Sequence, residues 1–498
     1  MPDAKELQQM QFGGGVEHSI FSPIVLVFIL LAGILILFLP RSKAIIPFFA
    51  AGVIIPLDQI VLIGTFHFPM LRVLLLFGFA RILLTKLSKK GEIFPGGMNG
   101  IDKAMVCLVL ATAAAGILLW QQSGALVYQL GAIYTALGTY FLSRYLIQSE
   151  EDIKRALRVW ACVTVVVAGI MIGEQLTGKN FLYVAIGGAR ASVATNTLTR
   201  DGKLRATGSF AHPILAGTYG GFSLPLFIGL WWKNKKDRSY AVAGALACIV
   251  MAVCANSSTA LMALVAGILG LCCWPLRKKM RAVRWGIVGT LVAGQIYMTS
   301  PVWHLIFDID ITGSSSSYHR YMLVDECVRH FWNWAFIGTK DFGTWGWMMW
   351  DLSNQYVATA DTAGLIPLIS LLAILVIGFK YLGKTRRAAE NDRKQEVFIW
   401  ALGASLFANL VAFIGISYFD QTILAWYALL AMISAATRQA RMAALDPEPI
   451  PGNQQNVGFS PHWRASEPER FNDDETGTSL ATPKLSLAGH KAPSRKPI

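Results

Sequence analysis

Residues 22–39 read SPIVLVFILLAGILILFL and end at Pro40-Arg41-Ser42-Lys43. No charged side chain interrupts the run. As an α-helix it would rise about 27 Å, close to the ~30 Å hydrocarbon core of a bilayer. No small-residue cleavage site follows, so it reads as a retained span rather than a signal peptide. Similar runs recur as far as Ala436, centred in 22–39, 44–62, 68–85, 103–120, 125–147, 157–176, 213–232, 240–256, 258–274, 285–300, 362–382, 396–416 and 421–437. Their lengths predict an all-α polytopic membrane protein with about twelve or thirteen transmembrane helices. The second run is broken by Pro47, Pro56 and Asp58. If it is re-entrant, the count is twelve and the N-terminus changes side.

Composition agrees with that class. Of 498 residues, 54% are hydrophobic and only 15% charged, with mean hydropathy +0.48. The net charge of +14 would suit a nucleic-acid partner if it were clustered. The surplus instead sits in short loops between apolar runs, where the positive-inside rule expects it, so nucleic acid is not an expected partner. Six of the seven cysteines (Cys107, Cys162, Cys248, Cys254, Cys272, Cys273) lie in or beside apolar runs, and only Cys327 falls in a polar segment. No disulfide framework and no Cys/His metal spacing is legible, and neither a metal nor a cofactor is expected.

Orientation follows from three basic loops: Lys233 to Arg238, Arg277 to Arg284, and Lys384 to Lys394. Two spans separate each from the next, so all three share one side, expected to be cytoplasmic. The tail from 441 to 498 follows Arg438 and Arg441 to that side. It balances seven basic against seven acidic residues, is poor in aromatics, and reads as a disordered cytoplasmic tail. The rest, 1–440, is the transmembrane domain.

Two long segments then fall on the outer side, 177–212 and 301–361. The first carries Lys179, Arg190, Arg200, Lys203 and Arg205 against Asp201 alone. That runs against the usual topological bias, and either a statistical exception or an anionic ligand explains it. The second contains the longest polar-aromatic interval of the chain, Gly313 to Gly364, with Trp332, Trp334, Trp345, Trp347 and Trp350 among Asp, Arg, His and Asn. From Ser317, residues Tyr321, Val324, Val328, Phe331, Trp332 and Ala335 repeat at helical spacing, with His319, Glu326, His330 and Asn333 on another face. This predicts an amphipathic helix at the outer interface, preceded by serine N-caps. The tryptophans suit an aromatic belt, or platforms for sugar rings.

Two shorter motifs flank these segments. Arg205-Ala-Thr-Gly208-Ser-Phe210-Ala-His212-Pro213 ends the first, with Pro213 placed to open a helix whose free amides suit an anion such as phosphate. Arg205 would add a bidentate clamp; an interfacial Arg and a capping His account for the same residues without a ligand. Asp351, Asn354 and Tyr356 lead through Asp361 to Gly364-Leu365. A helix cap explains Asp361 or Thr362 but does not require the others.

In this order, Arg-x-x-Gly-x-Phe-x-His-Pro, the small polar run Asn256-Ser257-Ser258-Thr259, Ser-Ser-x-x-Arg at 316–320, and Asn-x-Tyr ten residues before Gly-Leu, the chain resembles the O-antigen ligase and O-antigen polymerase superfamily of bacterial envelope polysaccharide enzymes. The resemblance covers roughly residues 20–440. It implies a metal-independent glycosyltransferase of the bacterial inner membrane, acting at the periplasmic face on undecaprenyl-pyrophosphate-linked glycan within the lipid bilayer, in company with other polysaccharide-assembly membrane proteins. By motif match Arg205 and Arg320 would hold the pyrophosphate, with His212 nearby. Asn354, Tyr356, Trp345 and Trp347 would contact substrate. The ligase branch carries His just before the last motif's Asn, where Ser353 stands here. That favours a polymerase of exopolysaccharide or O-antigen repeats over a lipopolysaccharide ligase acting on lipid A-core.

The residues support such chemistry apart from the resemblance. Fixed Arg donors stabilise charge developing on a leaving phosphate, and the acceptor hydroxyl needs a base, for which Asp351 or Asp361 is the expectation, with His319 behind them. The rival reading is a transporter or flippase of lipid-linked glycan, with Arg72, Arg81, Arg144 and Glu174 as its intramembrane ionisable groups.

Overall fold

Thirteen helices follow the thirteen apolar runs in order, in a computed structural model that describes residues 21–56, 59–63, 66–88, 93–187, 199–200, 202–308 and 316–443. The expected tail lies outside the described residues from 444 onward, as does 188–198, which includes Arg190. The first six helices are α1 (Pro23–Phe38), α2 (Ile45–Ile54), α3 (Met70–Leu87), α4 (Gly100–Trp120), α5 (Ser123–Leu146) and α6 (Glu150–Thr177). Next come α7 (Pro213–Lys233), α8 (Arg238–Cys254), α9 (Ser258–Cys272) and α10 (Met280–Tyr297). The polar interval forms α11 (Ser316–Arg329) and α12 (Gln355–Ala363), before α13 (Leu365–Ala388), α14 (Arg393–Ala412) and α15 (Gln421–Ala436).

The chain is an all-helical membrane protein, and among the described residues seven of its helices are both long and apolar enough to cross a membrane. These are α4, α5, α6, α7, α8 with its lead-in from Lys235, α13 and α14. The apolar helices α1, α2, α9 and α15 run only 10–17 residues. α3 and α10 reach 18 residues but carry Arg72, Arg81 and Lys86, and Arg281, Arg284 and Gln295. The run at 44–62 is no single span. Its helix stops at Ile54, just before Pro56, and an antiparallel hairpin follows, β1 (Ile60–Ile63) against β2 (Phe66–Pro69).

Local signals set the helix ends. Asn99 and Ser149 make capping boxes with Asp102 and Asp152, and Gly178 closes α6 at φ 70°. α7 is the most enclosed of the long helices because its glycines admit neighbours to backbone distance. Gly220 and Gly221 lie against Cys248 and Met251 of α8 and against Ala263 and Leu264 of α9, and Gly229 lies against Ala401 of α14. A Cβ on Gly221 would fall 2.7 Å from the Leu264 amide nitrogen. Gly221→Leu is therefore expected to destabilise the fold by about 3 kcal/mol or more, read as a lower thermal midpoint in detergent.

The three basic loops meet at one end of the bundle. Lys233 pairs with Glu150 at 3.0 Å, Arg277 and Arg386 share Glu396 at 3.0 and 2.7 Å, and Lys278 reaches Glu390 at 2.6 Å. Arg41–Asp152 and Arg158–Asp237 pair at the same helix ends. The polar interval forms a second, smaller hydrophobic core of its own, around Leu323, Cys327, Trp334, Met349 and Val357.

The helix expected from Ser317 exists, and Val324, Phe331 and Ala335 of its expected apolar stripe do meet the small core, but several polar side chains turn inward as well. Ser317, His319, Arg320, Leu323, Asp325 and Cys327 are buried, while Val328 and Trp332 are 49% and 76% exposed. It breaks at His330 before a short turn, Phe331–Trp334. The polar side chains turn inward because their partners are there: Arg320 reaches α9, His319 a backbone carbonyl, and Asp325 the Trp303 indole.

Candidate functional site

The two long loops meet at the turn Ala255–Thr259 that joins α8 to α9. Asn256 takes φ 43°, a left-handed conformation that Asn tolerates better than most residues, and turns the chain sharply into the Ser257 cap. From one loop, the Ala206 amide donates to the Cys254 carbonyl at 2.9 Å and Arg205 Nε to the Ala255 carbonyl at 3.4 Å. From the other, Arg320 Nη2 donates to Ser258 Oγ at 3.2 Å and Thr259 Oγ1 at 2.7 Å. Thr259 passes its own hydroxyl proton to the Gly415 carbonyl at 3.1 Å. Two arginines 115 positions apart in sequence thus brace one five-residue turn.

His212 stands at the mouth of the same region. It caps α7, its Nδ1 accepting the Ile214 amide at 3.3 Å, with Pro213 at the first helical position. One turn on, a Cβ at Gly217 would touch Ala255 and Ala260 together, which ties the start of α7 to the start of α9. His212 already takes the first amides of α7, whereas α9 begins without a side-chain cap and turns its first amides to this end.

Glu174 fixes the approach of the basic loop. Its carboxylate accepts the Thr207 and Gly208 amides, each at 2.9 Å, and Asn180 Nδ2 at 3.1 Å. Gly208 has φ 60°, and a Cβ there would press on Met171 and Val167. Asp420 is a further acid at this end. It sits at φ 62°, where a non-glycine residue is strained, and accepts the Ala211 amide. The sequence signal for Asp420 is only a lone acid between two apolar runs, and its link to residue 211 is long-range.

Around Arg320 the polar interval supplies a second group. His319 Nε2 donates to the Met348 carbonyl at 3.0 Å, and the Asp351 amide donates to the same oxygen at 3.0 Å. Because a carbonyl only accepts, Nε2 carries the proton and Nδ1 of the neutral ring is left as acceptor. Asp351 is half-buried. Trp347 lies edge-on to His319 at 6.4 Å and is 65% exposed, whereas Trp345 has one face covered by His330, stacked at 4.3 Å.

The remaining candidates lie deeper. Asn354 is the N-cap of α12, accepting the Tyr356 and Val357 amides at 3.0 and 3.2 Å. Asp361 and Thr362 do not cap the span they precede: both lie within α12, and Gly364 stands at the N-cap position of α13. Tyr356 donates its hydroxyl to the Leu410 carbonyl at 2.9 Å, and burial pushes its phenol up. Asp361 is 2% exposed, in the last turns of α12 and against Cys327 of α11. Burial drives its carboxyl up to about 7, opposed in part by the Cys327 thiol hydrogen bond, and burial likewise raises the thiol. One carboxylate oxygen of Asp361 has no hydrogen-bond partner among the described residues. Among those residues no three His, Cys, Asp or Glu side chains converge as metal ligands would.

The structure thus groups Arg205, Arg320 and His212 about the 255–259 turn, with His319 and Asp351 beside Arg320. It sets Asn354, Tyr356 and Asp361 within the packing of α12. No protein-family model matches the chain, and no curated protein matches it. The fold and this end-on cluster define the class at the level of an all-helical membrane protein with a polar site at the end opposite the basic loops.

Proposed function

We propose that the chain is a membrane glycosyltransferase that extends or transfers undecaprenyl-pyrophosphate-linked oligosaccharide at the outer face of a bacterial inner membrane. The observation that carries this reading is the bracing of one turn, at the start of α9, by both Arg205 and Arg320. Two fixed guanidinium groups and the uncapped first turn of α9 suit a pyrophosphate leaving group. In the step proposed, an acceptor hydroxyl attacks the anomeric carbon of the lipid-linked sugar. The carbon–oxygen bond to pyrophosphate breaks, its electron pair leaves on the lipid pyrophosphate held by the arginines, and the hydroxyl proton passes to a base. Asp351, with His319 on the same carbonyl, is the base of this proposal, because Asp361 lies closed beneath α11. Trp347 offers an open indole face for a sugar ring.

The positive-inside rule assigns the ion-paired basic end, and with it the C-terminus, to the cytoplasm. Arg205, Arg320 and His212 then face the periplasm. Ser353, in place of the ligase-type His, supports a polymerase over a ligase. A transporter path is less supported. Arg144 is closed in a pair with Asp102 at 3.0 Å, Arg81 is spent on the end of α1, Arg72 on the His67 carbonyl, and Glu174 on the 207–208 turn.

The test is a membrane assay with lipid-linked oligosaccharide, where longer lipid-linked chains indicate a polymerase and transfer to lipid A-core a ligase. Asp351→Asn is expected to slow transfer about a hundredfold or more while leaving the thermal midpoint unchanged. Full activity in that variant would remove Asp351 from the mechanism.

A further inference from the structure

At the basic end a groove of about 490 Å³ opens between α2, α6 and α8, remote from the 255–259 turn. Its α2 wall is Ile46, Ala50 and Ile54, spaced four apart on one helix face. Its α6 wall is Val159, Cys162, Val163 and Val166, which continue the face that begins with Arg155 and Arg158. Lys43 and Tyr240 complete the charged end. Ile46, Val166 and Tyr240 are 41%, 47% and 39% exposed, so the groove is open at the side toward the bilayer.

Charge and length together select an occupant. Arg41 and Arg155 share Asp152, Arg158 takes Asp237 at 2.6 Å, and Arg155 also donates to the Ser42 carbonyl at 2.8 Å. Lys43 is exposed and pairs with no acid among the described residues. Arg41, Lys43, Arg155 and Arg158 thus face Asp152 and Asp237, and Glu151, which also acts on Arg158, is balanced by Lys154 at 2.8 Å, which leaves two positive charges at one end of an apolar channel. From Arg155 to Val166 the α6 wall rises over eleven residue steps, about 16 Å of helix, and α2 from Ile45 to Ile54 covers about the same depth. One leaflet of a ~30 Å core is about 15 Å deep.

We infer that this groove is a binding site for an anionic phospholipid of the leaflet on the basic side, its phosphate at Lys43, Arg155 and Arg158 and one acyl chain between α2 and α6. A zwitterionic lipid fills the same channel but brings a cation to a site already positive. The inference does not rest on the chemistry proposed for the opposite end.

The experiment is native mass spectrometry of the detergent-solubilised full chain, titrated in parallel with phosphatidylglycerol and phosphatidylcholine of the same acyl composition. Phosphatidylglycerol is expected to bind at least fivefold more tightly. Lys43→Ala should weaken it about fivefold and leave phosphatidylcholine unchanged, since a basic residue near the headgroup contributes about 1 kcal/mol. Ala50→Phe, which fills the channel, should displace the lipid while the arginines remain. Equal affinity for the two lipids, no effect of Lys43→Ala, or equal competition by soluble glycerol phosphate would each overturn the site. Lys43 is a surface residue, so its variant keeps the test decisive if the filled-groove variant does not fold.

Discussion

Arg320→Ala is expected to lower glycan transfer by about a hundredfold to a thousandfold, the usual loss when one fixed donor to a developing anion is removed. The effect should fall on the rate with saturating lipid-linked donor more than on donor affinity, because charge on the leaving pyrophosphate is greatest in the transition state. Arg320 also holds Ser258 and Thr259 at the start of α9, so the alanine variant leaves two hydroxyls short of a donor and should unfold a few degrees lower. Arg320→Lys separates the two roles. A lysine restores charge but not the forked geometry, and is expected to recover stability more fully than rate. Wild-type rates in both variants would end the leaving-group assignment.

Asp361→Asn is expected to remove a stability slope between about pH 4 and pH 7. An ordinary aspartate titrates near 3.8, and burial moves this carboxyl up to about 7 in the folded chain. Between those values the folded state keeps a proton that the unfolded chain has released, so stability falls as pH rises and the loss is complete above about 7. At 1.36 kcal/mol per pH unit the three-unit gap corresponds to about 4 kcal/mol. Asparagine is neutral throughout. The variant should match wild type near pH 4 and exceed it near pH 8, in thermal melts of the solubilised protein. Because Asp361 is not the base proposed here, transfer should persist. A wild-type slope in the variant would show that the carboxyl is not held protonated, and lost transfer with an unchanged fold would return Asp361 to the chemistry.

Much of the architecture was legible because bilayer physics writes it in plain composition. All thirteen apolar runs became helices in the expected order, and Glu396 joins the second and third basic loops through Arg277 and Arg386, while Lys233 of the first reaches Gln395. Length was less legible, since Pro56 and the following hairpin end the second run at Ile54. Periodicity located α11 and part of its core-facing stripe, but not the inward turn of Asp325, His319 and Arg320, because their partners lie 22, 29 and 61 positions away. Asn354 was hidden as a cap because the short helix it opens, α12, runs almost directly into the apolar run of α13. Glu174 and Asp420 were invisible as site-builders for another reason. Their partners, Gly208 and Ala211, lie 34 and 209 positions away.

The presence of two hydrophobic cores divides the site mechanically. Arg205, His212 and the 255–259 turn belong to the large bundle, clamped by the glycine contacts of α7 with α8, α9 and α14. Arg320, His319 and Asp351 ride on the small core of the polar interval, whose local opening is the cheaper of the two because it buries far fewer apolar side chains. The candidate site thus joins residues carried by two cores of unequal size. For the lipid-borne glycan proposed as substrate, the expected side of entry is the small core, where the Arg320 hydrogen bonds to Ser258 and Thr259 are the link to the bundle.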